Sequence, residues 1–132
     1  MTEAYVGSIG SFAETHGLVW ALDRCGAFVG GTDRDTDEHL LECDAGKVIG
    51  ILKYRRHPGE IHLAHLLIEP SRRCSGTGGR LLDSFLAHIR STPQFEGWLI
   101  KCEIVSTEPQ KVAHMLKMRG FLPHGPEWQL QQ

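Results

Sequence analysis

No two of the four cysteines, Cys25, Cys43, Cys74 and Cys102, form a Cys-x-x-Cys pair, so neither a zinc knuckle nor a thioredoxin-like redox centre is expected. No apolar run approaches the ~20 residues that a bilayer-spanning helix needs. The opening Met-Thr-Glu-Ala-Tyr lacks the basic stretch and apolar run of a secretory leader. The expectation is a cytoplasmic protein with free thiols and no membrane partner. A basic excess is missing too: 14 lysines and arginines face 16 aspartates and glutamates, for a formal net charge of -2. Nucleic-acid binding, which needs a positive face, is disfavoured. Repeats and low-complexity tracts are absent from the chain. There remain 132 residues, 41% of them hydrophobic, enough to build one domain across residues 1–132 around a single core.

Periodicity organises that domain. A weak strand is predicted around Tyr5–Ile9 and a helix over about Ser11–Cys25, weakened by Gly17. The polar stretch Gly26–Asp37 reads as a loop. Three strands follow: His39–Cys43, Lys47–Tyr54 and Glu60–Ile68, separated by Asp44-Ala45-Gly46 and Pro58-Gly59. Leu81, Leu82, Phe85, Leu86 and Ile89 make one apolar stripe on a helix of about Gly78–Arg90. Trp98–Val105 alternates like a strand. Thr107-x-x-Gln110 fits a capping box for a helix that stops at Gly120, and a short strand or hairpin around Trp128–Leu130 ends the chain. The fold class is α+β, a largely antiparallel central sheet flanked by helices.

The segment from Leu66 to Leu82 carries the most chemical information. A strand ends at Pro70, and a turn with Gly76, Gly78 and Gly79 opens directly into a helix. Glycine lets the backbone approach a ligand closely. The first amides of a helix lack internal partners, and the helix dipole adds positive charge there. That combination suits a pyrophosphate, with Arg72, Arg73 and Arg80 as added charge. A plain change of chain direction is the competing reading. A Walker loop is excluded because Gly-x-x-x-x-Gly-Lys-Ser/Thr is absent. A dinucleotide fingerprint lacks its third glycine and its acidic residue.

Arg73-x-x-Gly76-x-Gly78 resembles the Gln/Arg-x-x-Gly-x-Gly/Ala motif of the GNAT superfamily, the acyl-CoA-dependent N-acetyltransferases. Its flanks fit as well: Leu66, Ile68 and Pro70 before it, Leu81-Leu82 after it, and Gly120-Phe121 closing a later helix. The resemblance runs from about Lys47 to Phe121. It implies a GNAT fold whose fourth and fifth strands splay apart, with acetyl-CoA as co-substrate and no metal. Leu66, Leu67 and Ile68 would then hold the pantetheine by strand addition. Arg73, Cys74, Ser75, Gly76, Thr77, Gly78 and Gly79 would carry the pyrophosphate. The partners implied are acetyl-CoA and an amine acceptor, and a homodimer is compatible with the resemblance.

Transfer to an amine needs a base. His62 stands eleven residues before Arg73, where some family members carry a glutamate and others a histidine. Glu103 on the following strand is the rival, in a context resembling that of family members that acetylate protein N-termini, and Glu60 is a third candidate. His62 and Glu103 could equally be polar residues on a sheet. His65 falls on the opposite strand face from His62, which argues against a metal pair. The tyrosine that many members use as acid is here Leu116, read as core. Tyr54, His114 or water would replace it, or the thiolate would leave unaided. Asp33-x-Asp35-x-Asp37 lacks the glycine of a calcium loop and reads as a solvated acidic loop able to attract a cationic amine. Cys74 could gain reactivity beside Arg73; Trp98 reads as core and Trp128 as an acceptor wall. The expected activity is N-acetylation of a primary amine of a small molecule, protein or peptide. The alternative is a non-catalytic acyl-CoA-binding or protein-interaction module on the same fold.

Overall fold

The computed structural model describes residues 2–23, 34–72, 75–103 and 109–132. Among them, β1 (Thr2–Val6), β2 (Glu38–Asp44), β3 (Lys47–His57), β4 (Glu60–Ile68), β5 (Leu99–Glu103), β6 (Leu122–His124) and β7 (Glu127–Gln131) form one sheet. Its order is β1-β2-β3-β4-β5-β7-β6. The helices are α1 (Ile9–Thr15), α2 (Val19–Asp23), α3 (Thr77–Ser91) and α4 (Pro109–Met118). The chain forms two compact units, Met1–Lys53 with His65–Phe85 and Tyr54–Ala64 with Leu86–Gln132. No helix among the described residues is long and apolar enough to cross a membrane.

In the first unit β1 pairs antiparallel with β2, from Thr2↔Glu42 to Val6↔Glu38. The strand ends sooner than the predicted Tyr5–Ile9, because Ser8 caps α1 by accepting from the Ser11 amide at 3.3 Å. Ile9 thereby becomes a buried helical residue. The single helix expected over Ser11–Cys25 is two helices: α1 stops at Thr15 and the chain turns through Gly17 at φ 66. That backbone conformation is costly for any other residue type. Ile9, Ala13, Leu18 and Ala21 pack with Leu41 and Ile51, and Leu67 joins this cluster. Side chains alternate along a strand, so Gly50 and Ile68 face the other way, toward Leu81 of α3.

β3 is buried from Ile49 through Lys53 within this unit. Lys53 is wholly buried and pairs with Asp37 at 2.7 Å. Asp37 also accepts from the Arg34 amide at 2.9 Å. This corrects the expectation of a solvated acidic loop. Asp33 lies outside the described residues and Asp35 is exposed, but Asp37 is the counter-charge of a lysine inside the sheet. A buried ammonium requires such a partner.

In the second unit β4 and β5 run parallel, from Glu60↔Leu99 to Leu63↔Cys102, and β4 continues to Ile68. β7 lies antiparallel between β5 and the short β6, with which it forms the expected terminal hairpin. The described part of the predicted strand Trp98–Val105 is Leu99–Glu103; Ile104 and Val105 fall outside the described residues. Ile61, Leu86, Ile89, Phe95, Ile100, Leu116 and Phe121 form the apolar interior. Leu116 is 1% exposed, core as read from the sequence. Trp98 is only half-buried, its ring 5.1 Å from Phe95. α4 ends at the expected Gly120, at φ 91, and the Phe121 amide donates to the Leu116 carbonyl at 3.1 Å. The capping residue Thr107 lies outside the described residues.

Candidate functional site

The glycine turn is built by the chain leaving β4. The Glu69 amide donates to the Ile49 carbonyl at 2.9 Å, and a 3-10 turn follows over Pro70–Arg72. Arg73 and Cys74 lie outside the described residues. Gly76 takes φ 81, a left-handed conformation that aims the chain into α3. Thr77, 2% exposed, opens the helix. Its Oγ1 lies 2.9 Å from Ser75 Oγ and accepts from Arg80 Nη2 at 3.1 Å. Arg80 Nη1 donates to the Ser75 carbonyl at 3.1 Å, fastening the turn to the helix. Arg72, expected to add charge here, is instead paired with Asp44 at 2.7 Å.

No acidic side chain lies in the first turn of α3, so no carboxylate of that turn offsets the positive end of its dipole. A Cβ on Gly78 would meet only ordinary contacts, 3.8–3.9 Å from Ile68 and Leu66. Packing therefore does not demand glycine there, whereas a ligand lying against the backbone would. Leu66 and Ile68 thus flank Gly78 at the start of α3, and Ser75, Gly76 and Thr77 lead the chain into that helix. Leu67 is different: its side chain joins the core cluster on the other face, leaving its backbone for any part in strand addition. Gly79 sits within the first turn of α3.

The second unit holds a pocket of about 260 Å³. Arg55 and His57 of β3, His62, Leu63 and Ala64 of β4, Lys101, Cys102 and Glu103 of β5, and Glu127 of β7 line it. Both base candidates, His62 and Glu103, are therefore in one cavity. His62 Nε2 lies 2.9 Å from Glu60 Oε2, and Lys101 Nζ lies 3.0 Å from Glu60 Oε1. Lys101 also stands 4.0 Å from Glu127. The His57 ring is tilted against His62, centroids 4.2 Å apart.

These contacts shift the titrating groups. Hydrogen bonds from His62 and then Lys101 hold the Glu60 carboxyl below its ordinary value. The hydrogen bond to Glu60 raises Lys101, with further help from the charges of Glu60 and Glu127. Burial, then the Glu103 charge, pushes the Cys102 thiol up to about 11, so that wall of the pocket is an uncharged sulfur. Glu103 and Glu127 are direct partners in the β5–β7 register. Like charges placed opposite each other cost stability, and both line the cavity.

Lys101, Glu127, Arg55 and His57 were not anticipated from the sequence. The turn at Pro58-Gly59 is a visible reason for His57 to return beside His62, but only the β4–β5 register puts Lys101 opposite His62. The acid candidates fare differently. Tyr54 is 3% exposed, its hydroxyl 3.3 Å from His88 Nε2, and it does not line the pocket. His114 is exposed on α4.

No family model matches the sequence, and no curated protein matches it. Solved structures do. A protein assigned to the GNAT family of acetyltransferases from Desulfovibrio desulfuricans superposes with TM-score 0.70 at 15% identity, covering 99% of both chains. Tetrahymena GCN5 gives 0.71 at 14%, over 99% of this chain and 95% of its own. The chain has the GNAT fold. A third similar structure, assigned as the N-acetyltransferase YhhK of Escherichia coli, has coenzyme A bound; it gives 0.70 at 12%, over 100% of this chain and 98% of that one. In the GNAT fold of this chain, β4 carries His62 near its start and Leu66–Ile68 at its end, so one strand contributes to both the pocket and the glycine turn.

Proposed function

We propose that the protein is a GNAT-superfamily N-acetyltransferase, one domain in extent and cytoplasmic, that moves an acetyl group from acetyl-CoA to a primary amine. The observation that carries this reading is a pocket, on an acetyltransferase fold, in which a histidine is hydrogen-bonded to a carboxylate. In the proposed mechanism the amides of the segment from Arg73 to Gly79 hold the diphosphate, and the β4 backbone at Leu66–Ile68 holds the pantetheine arm. Glu103 and Glu127 attract the cationic amine. His62 takes a proton from it, freeing the nitrogen lone pair to attack the thioester carbonyl. A backbone amide of β4 stabilises the resulting oxyanion. The C–S bond then breaks, the acylated nitrogen gives up its remaining extra proton to water, and the thiolate leaves to be protonated from water, since Tyr54 is turned toward His88.

The buried Leu116 at the usual acid position favours one other reading, an acyl-CoA-binding module without transfer. Free-thiol release from acetyl-CoA, followed across peptides, polyamines and aminoglycosides, decides between them. Release with one amine class supports the enzyme. Tight binding without release across the panel supports the module. His62→Ala and Glu103→Ala, measured separately, then name the base by which of them abolishes release.

A further inference from the structure

Glu60 does not itself line the cavity, yet both of its oxygens are committed to residues that do. Oε2 meets His62 Nε2 at 2.9 Å and Oε1 meets Lys101 Nζ at 3.0 Å. An ionised carboxylate can only accept hydrogen bonds, so Nε2 must be the protonated nitrogen of a neutral His62 ring. The remaining lone pair is then on Nδ1. We propose that Glu60 is a positioning residue that selects the Nε2–H form of His62, making Nδ1 the atom that takes the amine's proton. This rests on the reading of His62 as the base.

Other charged or titratable groups line the same cavity: Arg55 and His57 on β3, Lys101 and Glu103 on β5, and Glu127 on β7. Of these, His57 lays its ring against that of His62, with centroids 4.2 Å apart. The hydrogen bonds from His62 and then Lys101 hold the Glu60 carboxyl below its ordinary value, so it is an anion throughout the range in which imidazoles ordinarily titrate. The arrangement follows the logic by which a carboxylate orients a catalytic histidine, here reached from two positions along the same strand.

The test is long-range proton–nitrogen correlation spectroscopy of the histidine rings in the full-length protein, with His62 assigned by its loss in His62→Asn. The expected wild-type form is Nε2–H. In Glu60→Gln, whose amide can donate as well as accept, that preference disappears. Lys101→Met leaves it intact, which separates orientation of the ring from mere neutralisation of the lysine. Thiol release by Glu60→Gln has a kcat lower by at least about tenfold. An Nδ1–H ring in the wild type, or a spectrum unchanged by Glu60→Gln, overturns the inference while leaving His62 as base. Undiminished thiol release by His62→Asn overturns the base assignment itself, and the positioning role with it, whatever the tautomer.

Discussion

Lys53 shows what a single side chain can hide from a sequence reading. It stands in a run of Val, Ile and Leu where a charge looks like a strand-end residue, yet it is fully buried and its ammonium is 2.7 Å from Asp37. Removing one member of such a pair strands a charge in the interior. Asp37→Ala should therefore cost about 3–5 kcal/mol by urea unfolding, and the double change Asp37→Leu with Lys53→Met should recover most of it. Glu60 makes the opposite case, a partly exposed carboxylate whose bonds lower its pKa. Its ionised form is favoured by folding, so its contribution is complete above the ordinary carboxyl range and is lost as pH falls through its lowered value. Melting temperatures of wild type and Glu60→Gln should differ at about pH 6 and converge toward about pH 2. The difference will be modest, because water competes for an exposed ion pair.

Two glycines on facing elements, Gly50 of β3 and Gly78 of α3, have different physical jobs. Gly50 allows α3 to sit on the sheet: an added Cβ would stand 3.1 Å from Ile68 and 3.2 Å from Leu81. Gly50→Ala should destabilise by about 1–3 kcal/mol through overpacking. Gly78, on the helix that Gly50 admits, has room for a methyl group. Gly78→Ala should leave stability unchanged or raise it by up to about 1 kcal/mol. The same change should weaken acetyl-CoA binding by at least about tenfold in calorimetry. Lost affinity without lost stability would mark Gly78 as a ligand contact. The turn and the helix stripe were legible because both are local: glycine spacing sets the turn, and Leu81, Leu82, Phe85, Leu86 and Ile89 set the face. The split between α1 and α2 was less so, since Gly17 announced a weakness without saying that the chain would turn there.

The C-terminal hairpin has a structural reach beyond its length. β7 supplies the antiparallel partner of β5 from Leu99↔Gln131 to Glu103↔Glu127 and contributes Glu127 to the pocket. Deleting residues 122–132 would leave β5, which carries Lys101 and Glu103, with an open edge of unpaired backbone groups. The expected outcome is aggregation, or loss of the strand signal in circular dichroism, with no thiol release. A soluble, active truncation would show that β5 is held without β7.

What the sequence determined by itself is whatever depends on near neighbours: the extent of β4 from Glu60 to Ile68, the turn that opens α3, and the stop of α4 at Gly120. Backbone freedom and side-chain periodicity act over a few residues, so a linear reading reaches them. Tertiary structure alone decided which strand lies beside which. The parallel register of β4 and β5 sets Lys101 opposite His62, the return of β7 sets Glu127 opposite Glu103, and folding of the sheet brings Asp37 to Lys53. Those encounters join residues far apart in the chain. They exist only because burying the apolar faces of the strands fixes one pairing order and, with it, which charges must meet.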